Sequence, residues 1–338
     1  FELDTLAPSK PHVTLAIDTG SGSNDGITSN PSLQVTGGEE QATILFSAND
    51  GIDWSDEFVP LLGDTTVLVR QSDTAGNISE VSAPYTFTLD TTSPVIRSLA
   101  GQSGAAGEGT IVLTYDGPID PAALPQASDF NVRTAGAQNP VLSISVTDNV
   151  VTLTMQDAFK PGAVSLKYSD PTAADDDLAL QDVAGNDASS FSSGIVADGF
   201  VRGAMVYIDT NEDGVAEAGV DYLVGITDAT GNFFMASDAP VGAIIAVGGI
   251  NIDTGVANTM SLKAPEGSAT INPLTTMVQA VLDEQVSSGA IVDAASIAAA
   301  SNTVAAALGL SDALDGANLT DYDPISSGNV VLQKAAAQ

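Results

Sequence analysis

Two short phrases each occur twice in this chain, in the same relative order, and they limit it to a string of modules. Asp4-Thr-Leu-Ala-Pro8 returns as Asp90-Thr-Thr-Ser-Pro94, and Asp73-Thr-Ala-Gly-Asn77 returns as Asp182-Val-Ala-Gly-Asn186. Self-similarity at long period marks an array of structural units. After each D-x-A-G-N comes an acid at an expected junction, Asp90 in one case and Asp198 in the other. The echo divides the chain into residues 1–92, 93–197 and 198–338. A length of 338 residues fits about two to three domains.

Residues 1–92 predict strands at Val13–Ile17, Ser32–Thr36, Thr43–Ser47, Thr66–Gln71 and Tyr85–Leu89. Turn signals such as Asn24-Asp-Gly26 and Asn49-Asp-Gly51 separate them. Residues 93–197 predict strands at Thr110–Tyr115, Leu142–Val146, Val150–Met155 and Val164–Tyr168, with turns at Thr147-Asp-Asn149 and Lys160-Pro-Gly162. Both stretches have the size and strand spacing of a β-sandwich. Trp54 reads as a core or hairpin anchor.

Residues 198–338 change character. Strands at Ala204–Ile208, Tyr222–Thr227 and Phe233–Ala236 surround the run Asp209-Thr-Asn211-Glu-Asp213-Gly214-Val215-Ala-Glu217. This is the D-x-N-x-D-G pattern of a calcium loop: side-chain oxygens at positions 1, 3 and 5, a turn glycine at 6 and the Val215 carbonyl at 7. A full loop carries a bidentate acid at position 12. Here that position is Val220, and the acid follows at Asp221. Either the loop is stretched by one residue, or the last ligand comes from elsewhere, such as Glu217 directly or through water. The alternative is an acidic β-turn without metal. Asp228-Ala-Thr-Gly-Asn232 is a further turn. From Asn272 the pattern is helical: Asn272 caps, Pro273 takes the first position, and Leu274, Met277, Val278, Val281 and Leu282 form an apolar stripe. A second helix is expected from Asp293 to Leu308, ended by Gly309, and a third over Val330–Gln338.

Charge narrows the function. There are 43 Asp+Glu against 9 Lys+Arg, for a net charge of −34. No basic patch is available for phosphates, so the charge argues against nucleic acid as a partner and against anionic membrane surfaces. Such a charge opposes compaction, and bound cations relieve it. The chain has no Cys, so neither disulfides nor thiolate metal sites can staple it. Calcium can take that role in a secreted chain. The longest apolar run, Val241–Ile250, is too short to span a membrane and reads as a buried strand or strand pair. The opening Phe1-Glu-Leu-Asp4 reads as the middle of a larger polypeptide.

Residues 1–92 resemble the bacterial Ig-like repeats of giant repeats-in-toxin (RTX) adhesins. The likeness lies in Leu3-Asp-Thr-Leu-Ala-Pro8, Asp18-Thr-Gly-Ser-Gly-Ser-Asn-Asp-Gly-Ile-Thr28, Val69–Asn77 and Phe87-Thr-Leu-Asp-Thr91. The resemblance implies calcium at the modules and junctions, through Asp4, Asp18, Asp25, Asp73 and Asp90. Residues 93–197 resemble the SwmB-type repeat of bacterial surface proteins, through Leu113-Thr-Tyr-Asp116, Asp129-Phe130, Val150–Thr154, Tyr168-Ser-Asp-Pro171 and Gln181–Asn186. By the echo, Asp182 and Asp198 join the candidate ligands. Residues 203–206, 209–214 and 227–233 resemble the carboxypeptidase-regulatory or SdrD-B-like β-domain of surface proteins. That likeness stops near residue 265. Pro273-Leu-Thr-Thr276 and Tyr322-Asp-Pro-Ile325 recur in bacterial surface proteins without an evident mechanism.

The expected fold is mainly β: tandem Ig-like β-sandwiches, then a calcium-loop β-domain with a C-terminal α-helical region. The expected function is a Ca2+-stabilised extracellular segment of a bacterial cell-surface adhesin, an extender or carrier of a ligand-binding module. Its partners would be neighbouring modules of the same polypeptide and a host or biofilm surface glycan or protein, with no membrane insertion. Two other readings stay open: a structural subunit of a surface layer or filament, and a non-catalytic accessory region of a secreted polysaccharide-active enzyme. No enzyme chemistry is expected, because the single His12 sits beside Pro11 at a strand start with no nucleophile motif. The run Asp175-Asp-Asp177 reads equally as a calcium cluster with Asp170 or Asp182 and as a solvated loop.

Overall fold

The computed structural model describes residues 4–103, 108–134, 137–159, 164–172, 178–289, 291–314, 318–325 and 329–338. The expected turn at Lys160-Pro-Gly162 and the run Asp175–Asp177 lie outside these residues. The fold is mainly β, with helices gathered at the C-terminal end. The chain forms two compact units: residues 1–94 with 117–125 and 171–188, and residues 95–116 with 126–170 and 189–338.

In the first unit, strand Gly63–Ser72 is the centre of a four-stranded sheet ordered Ile27–Thr28, Tyr85–Leu89, Gly63–Ser72, Thr43–Ser47. Its alternation buries Thr65, Val67, Val69 and Gln71 on one face. Strands His12–Leu15 and Leu33–Thr36 pair antiparallel and bring Val13 and Leu15 onto that face, with Phe46, Phe58 and Phe87 filling the layer. Gln71 is a fully buried amide and is satisfied: its Nε2 donates to Ser9 O at 2.6 Å and its Oε1 accepts from Glu39 N at 2.8 Å. Trp54 is half-buried, donates from Nε1 to Gly51 O at 2.9 Å, and carries Arg70 stacked 4.1 Å above its ring. It anchors its hairpin.

In the second unit, Val141–Thr147, Val150–Met155, Gly109–Tyr115 and Ile96–Ser103 form one antiparallel sheet in that order. The turn at Asp148 takes φ +51°, which Asp tolerates better than most residues. A second sheet runs Ala137–Gln138, Phe130–Thr134, Val164–Tyr168, Phe191–Val196, Asn232–Ala236, with Thr270–Ile271 parallel to Phe191–Val196. Strand Phe191–Val196 thus hydrogen-bonds to Val164–Tyr168 on one side and to Asn232–Ala236 on the other. The sheet is continuous past residue 197. Gly194 makes this possible: a Cβ there would lie 2.3 Å from the Phe233 ring.

A third sheet carries the acidic loop and is ordered Tyr222–Ile226, Met205–Ile208, Ile244–Val247, Leu262–Ala264. The apolar run at 241–250 resolves into Ile244–Val247 and Ile250–Asn251, which belong to different sheets. Helix α1 (Pro273–Ser287) begins as expected, with Asn272 Oδ1 accepting from Leu274 N at 2.8 Å and Thr275 N at 2.9 Å. Leu274, Val278 and Leu282 are buried against α2 (Ala294–Ala307), α3 (Ser311–Leu314) and α4 (Val330–Ala337). Met277 departs from the expected stripe and is 44% exposed. It lies about 60° round the helix from Leu274, on the flank away from Val278 and Leu282.

Candidate metal centre

The acidic loop joins Met205–Ile208 to Tyr222–Ile226. Asp209 leaves the first strand with its N–H on Ala243 O at 2.9 Å, so the sheet fixes its direction. It is only 4% exposed. Its Oδ2 accepts from Gly214 N at 2.8 Å, and its Oδ1 is buried with no hydrogen-bond partner. Turning the chain back onto Asp209 needs φ +59° at Glu212 and +75° at Gly214, which explains the glycine. Asn211 Nδ2 donates to Asp213 Oδ2 at 2.9 Å, and Asp213 Oδ1 accepts from Val215 N at 2.8 Å. Asp221 is buried and closes the loop: Oδ1 accepts from Thr210 N at 3.0 Å and Oδ2 from Glu217 N at 2.9 Å. The Glu217 and Val215 side chains are exposed.

Asp209 thus gives a hard cation one orphaned buried carboxylate oxygen, which burial makes costly to leave alone. The carboxylate oxygens of Asp213 and Asp221 instead accept from amide N–H groups of the loop. Among the described residues no group of three or more His, Cys, Asp or Glu side chains is brought together for a metal.

The D-x-A-G-N phrases form the same turn. In the first, Asp73 Oδ1 accepts from Ala75 N at 2.9 Å and Asn77 N at 2.8 Å, and Oδ2 accepts from Asn77 Nδ2 at 2.8 Å. In the second, Asp182 Oδ1 accepts from Ala184 N at 2.9 Å and Asn186 N at 3.0 Å, and Oδ2 from Asn186 Nδ2 at 2.9 Å. Gly76 and Gly185 take φ +91° and +85°. Each asparagine then reaches far back along the chain. Asn77 Nδ2 donates to Asp4 O, 73 residues away, and Asn186 Nδ2 to Asp90 O, 96 residues away. The paired phrases of the sequence are therefore two halves of one device, a turn that clamps the main chain at the acid opening D-x-x-x-P. Asp228–Asn232 is a third copy: Asp228 Oδ1 accepts from Thr230 N and Asn232 N, and Asn232 Nδ2 donates to Leu99 O at 3.0 Å, 133 residues away.

The remaining candidates are placed as follows. Asp4 Oδ1 accepts from Leu6 N at 3.0 Å and Asp90 Oδ1 from Thr92 N at 2.9 Å. Asp18 Oδ2 accepts from Gly26 N at 3.0 Å, while its Oδ1 is a buried atom with no hydrogen-bond partner. Asp25 is exposed and its Oδ1 accepts from Ile27 N at 2.9 Å. The loop after Asp18 docks on the second clamp, with the Thr19 hydroxyl on Ala184 O at 2.5 Å and Ser21 N on Asp120 Oδ2 at 3.1 Å. Asp120 is 3% exposed and was not legible as a site residue; its only local signal is the Asp-Pro turn in which its Oδ1 accepts from Ala122 N. Asp198 stands apart from these, in the turn after Phe191–Val196, where its carbonyl accepts from Asn251 Nδ2.

Burial separates the two clamps electrostatically. The Asn77 side-chain bond holds the Asp73 carboxyl below its ordinary 3.8. Burial pushes Asp182 above 3.8, and the Asp90 charge adds to that, against the turn's own hydrogen bonds.

Residues 89–173 match the profile of the SWM repeat, described as a putative flagellar system-associated repeat. The match overlaps the stretch expected to be a SwmB-type repeat, but it begins at residue 89 rather than 93 and ends at 173, short of the Gln181–Asn186 phrase. None of the curated proteins matches the chain. Among solved structures, the chain is similar at 15% identity to a tetra-tandem repeat in the extending region of a large adhesion protein, over 75% of this chain and 73% of that one. The TM-score of that superposition is 0.17, and nothing about the fold follows from it. Among the described residues no helix is long and apolar enough to cross a membrane.

Proposed function

We propose that the chain is a calcium-stabilised extracellular segment of a bacterial cell-surface adhesin of the RTX type, working as an extender or as the carrier of a ligand-binding module. The observation that carries the calcium part is the orphaned Oδ1 of buried Asp209 within a D-x-N-x-D-G loop. Asp209, Asn211, Asp213 and the Val215 carbonyl would hold the ion, with Asp221 or Glu217 completing the set. The ion would supply charge neutralisation and loop closure, not a reaction. Asp18, whose Oδ1 is likewise without a hydrogen-bond partner, is the leading residue for a second ion beside the Asp182 clamp. A chain built of clamped modules, with one stretch matching a putative flagellar system-associated repeat, suits spacing and presentation rather than catalysis. The partners are neighbouring modules and a surface glycan or protein.

Calcium titration by calorimetry, paired with thermal unfolding in excess chelator, tests the reading. Each site with a dissociation constant near 10⁻⁴ M adds about 1.4 kcal/mol at millimolar calcium. Superimposable melting curves with and without chelator would falsify it.

A further inference from the structure

Only 9 Lys and Arg residues face 43 acids in this chain, so a cation placed against an acidic loop is informative. Lys263 is such a cation. Its Nζ lies so close to Gly214 that a Cβ on that glycine would sit 2.7 Å from it. Gly214 is the residue whose N–H binds Asp209 Oδ2. Lys263 shares with Asp209, Glu212, Asp213, Glu266 and Asp283 the lining of a cavity of about 530 Å³. Yet it forms no ion pair: among the described residues the one salt bridge is Arg97–Asp116.

The lysine is also held from behind. Its strand, Leu262–Ala264, pairs with Ile244–Val247. Its N–H donates to Thr276 Oγ1 at 2.9 Å, and its carbonyl accepts from Thr275 Oγ1 at 2.8 Å. These two threonines are the end of the Pro273-Leu-Thr-Thr276 phrase, at the first turn of α1. Asn272, which caps that turn, donates from Nδ2 to Tyr322 O in the Tyr322-Asp-Pro-Ile325 phrase at 3.3 Å. The two phrases left unexplained by the sequence therefore meet at the start of α1 and fix the strand that aims Lys263 at the loop.

We infer that Lys263 is a tethered competitor for the cation of the Asp209 loop. The inference rests on the calcium reading above. With no ion bound, the ammonium offsets the mutual repulsion of Asp209, Glu212 and Asp213 and has a flexible four-carbon stem with which to follow the orphaned oxygen. With the ion bound, the same charge opposes it. A unit charge a few ångströms from a divalent ion, even at high dielectric, weakens binding by on the order of tenfold. Lys263 thus sets the calcium range in which the loop fills and holds the empty loop in shape.

The test compares the wild-type chain with Lys263→Met, Lys263→Arg and Asp209→Asn by calcium calorimetry and by melting in calcium and in chelator. Lys263→Met is expected to bind at the Asp209-dependent site about tenfold tighter while melting lower than wild type in chelator. Lys263→Arg keeps the charge and is expected to stay within about threefold of wild type. A lysine that merely packs would, when removed, weaken binding rather than tighten it. If Asp209→Asn removes one site and Lys263→Met leaves that site unchanged or weaker, the inference is overturned and the calcium reading stands. If Asp209→Asn changes no calcium site, both fall together.

Discussion

The turns Asp73–Asn77 and Asp182–Asn186 share a phrase and a hydrogen-bond pattern, and their carboxyls are displaced in opposite directions. Asp73 lies below 3.8 and Asp182 above it. The difference is burial: Asp182 and Asn186 are 7% and 5% exposed, whereas Asp73 and Asn77 are only half-buried and the residues between them are exposed. Identical local bonds stabilise a charge where solvent helps, and fall short of replacing solvent where a second acid, Asp90, stands nearby. The loop at Asp209 goes one step further, because there the peptide leaves one carboxylate oxygen without any donor.

The largest expected effect is on the buried clamp. Asn186→Ala removes the donor to Asp182 Oδ2 and to Asp90 O and leaves a buried carboxylate short of partners, at a cost of about 3 kcal/mol. The matched Asn77→Ala removes the same pair of bonds in water's reach and is expected to cost well under half as much. Urea unfolding of both variants measures this. Equal losses would show that burial does not distinguish the two copies.

Next is the loop. If the loop binds calcium as proposed, Asp209→Ala is expected to lower the stability of the second unit by about 1.4 kcal/mol in millimolar calcium, with the gap closing in chelator. Because Phe191–Val196 ties the strands on both sides of residue 197 into one sheet, the transition of the second unit is expected to shift as a whole while that of the first stays put. Differential scanning calorimetry reads both transitions in one scan.

Much of this was legible. Strands Thr43–Ser47, Tyr85–Leu89, Val150–Met155 and Val164–Tyr168 match their expected bounds, since alternation and turn residues mark them independently of what they pack on. Asn272 and Pro273 announced α1 for the same local reason. Strand Phe191–Val196 did not announce itself. Its Ser-Ser-Gly interior breaks the apolar pattern for tertiary reasons: Gly194 admits the Phe233 ring, and the Ser193 hydroxyl accepts from Leu166 N at 3.0 Å. In the loop, the pattern identified the residues, but only the fold could show that Asp209 alone among Asp209, Asn211 and Asp213 is buried, and that Lys263 stands over the glycine.

A smaller effect appears on acidification in chelator, and the two clamps set its sign. A carboxyl raised in the folded state contributes stability that is full below its unfolded value and is lost as pH rises through the folded one. Lowering pH from neutral toward 3.8 therefore lets Asp182 take up its proton and favours the fold. A depressed carboxyl does the reverse, so the Asp73 contribution is present above 3.8 and disappears as pH falls below it. Asp182→Asn should remove the first trend and Asp73→Asn the second, each followed as the melting temperature of the first unit against pH.

The smallest effect isolates the Asp90 charge. Burial is the main cause of the displacement of Asp182, and Asp90 is a lesser one. Asp90→Asn keeps the side chain's size and leaves intact the main-chain carbonyl that Asn186 Nδ2 grips at 3.0 Å, so the clamp itself should survive. Only the repulsion goes. The Asp182 carboxyl, followed by carbon-detected NMR titration in chelator, is expected to move part of the way down toward 3.8 and no further, because burial remains. The Asp73 titration in the same spectra should not move. If the Asp182 titration is unaffected, Asp90 is solvated rather than electrostatically coupled to the clamp. Asp90 would then serve the fold only through its backbone.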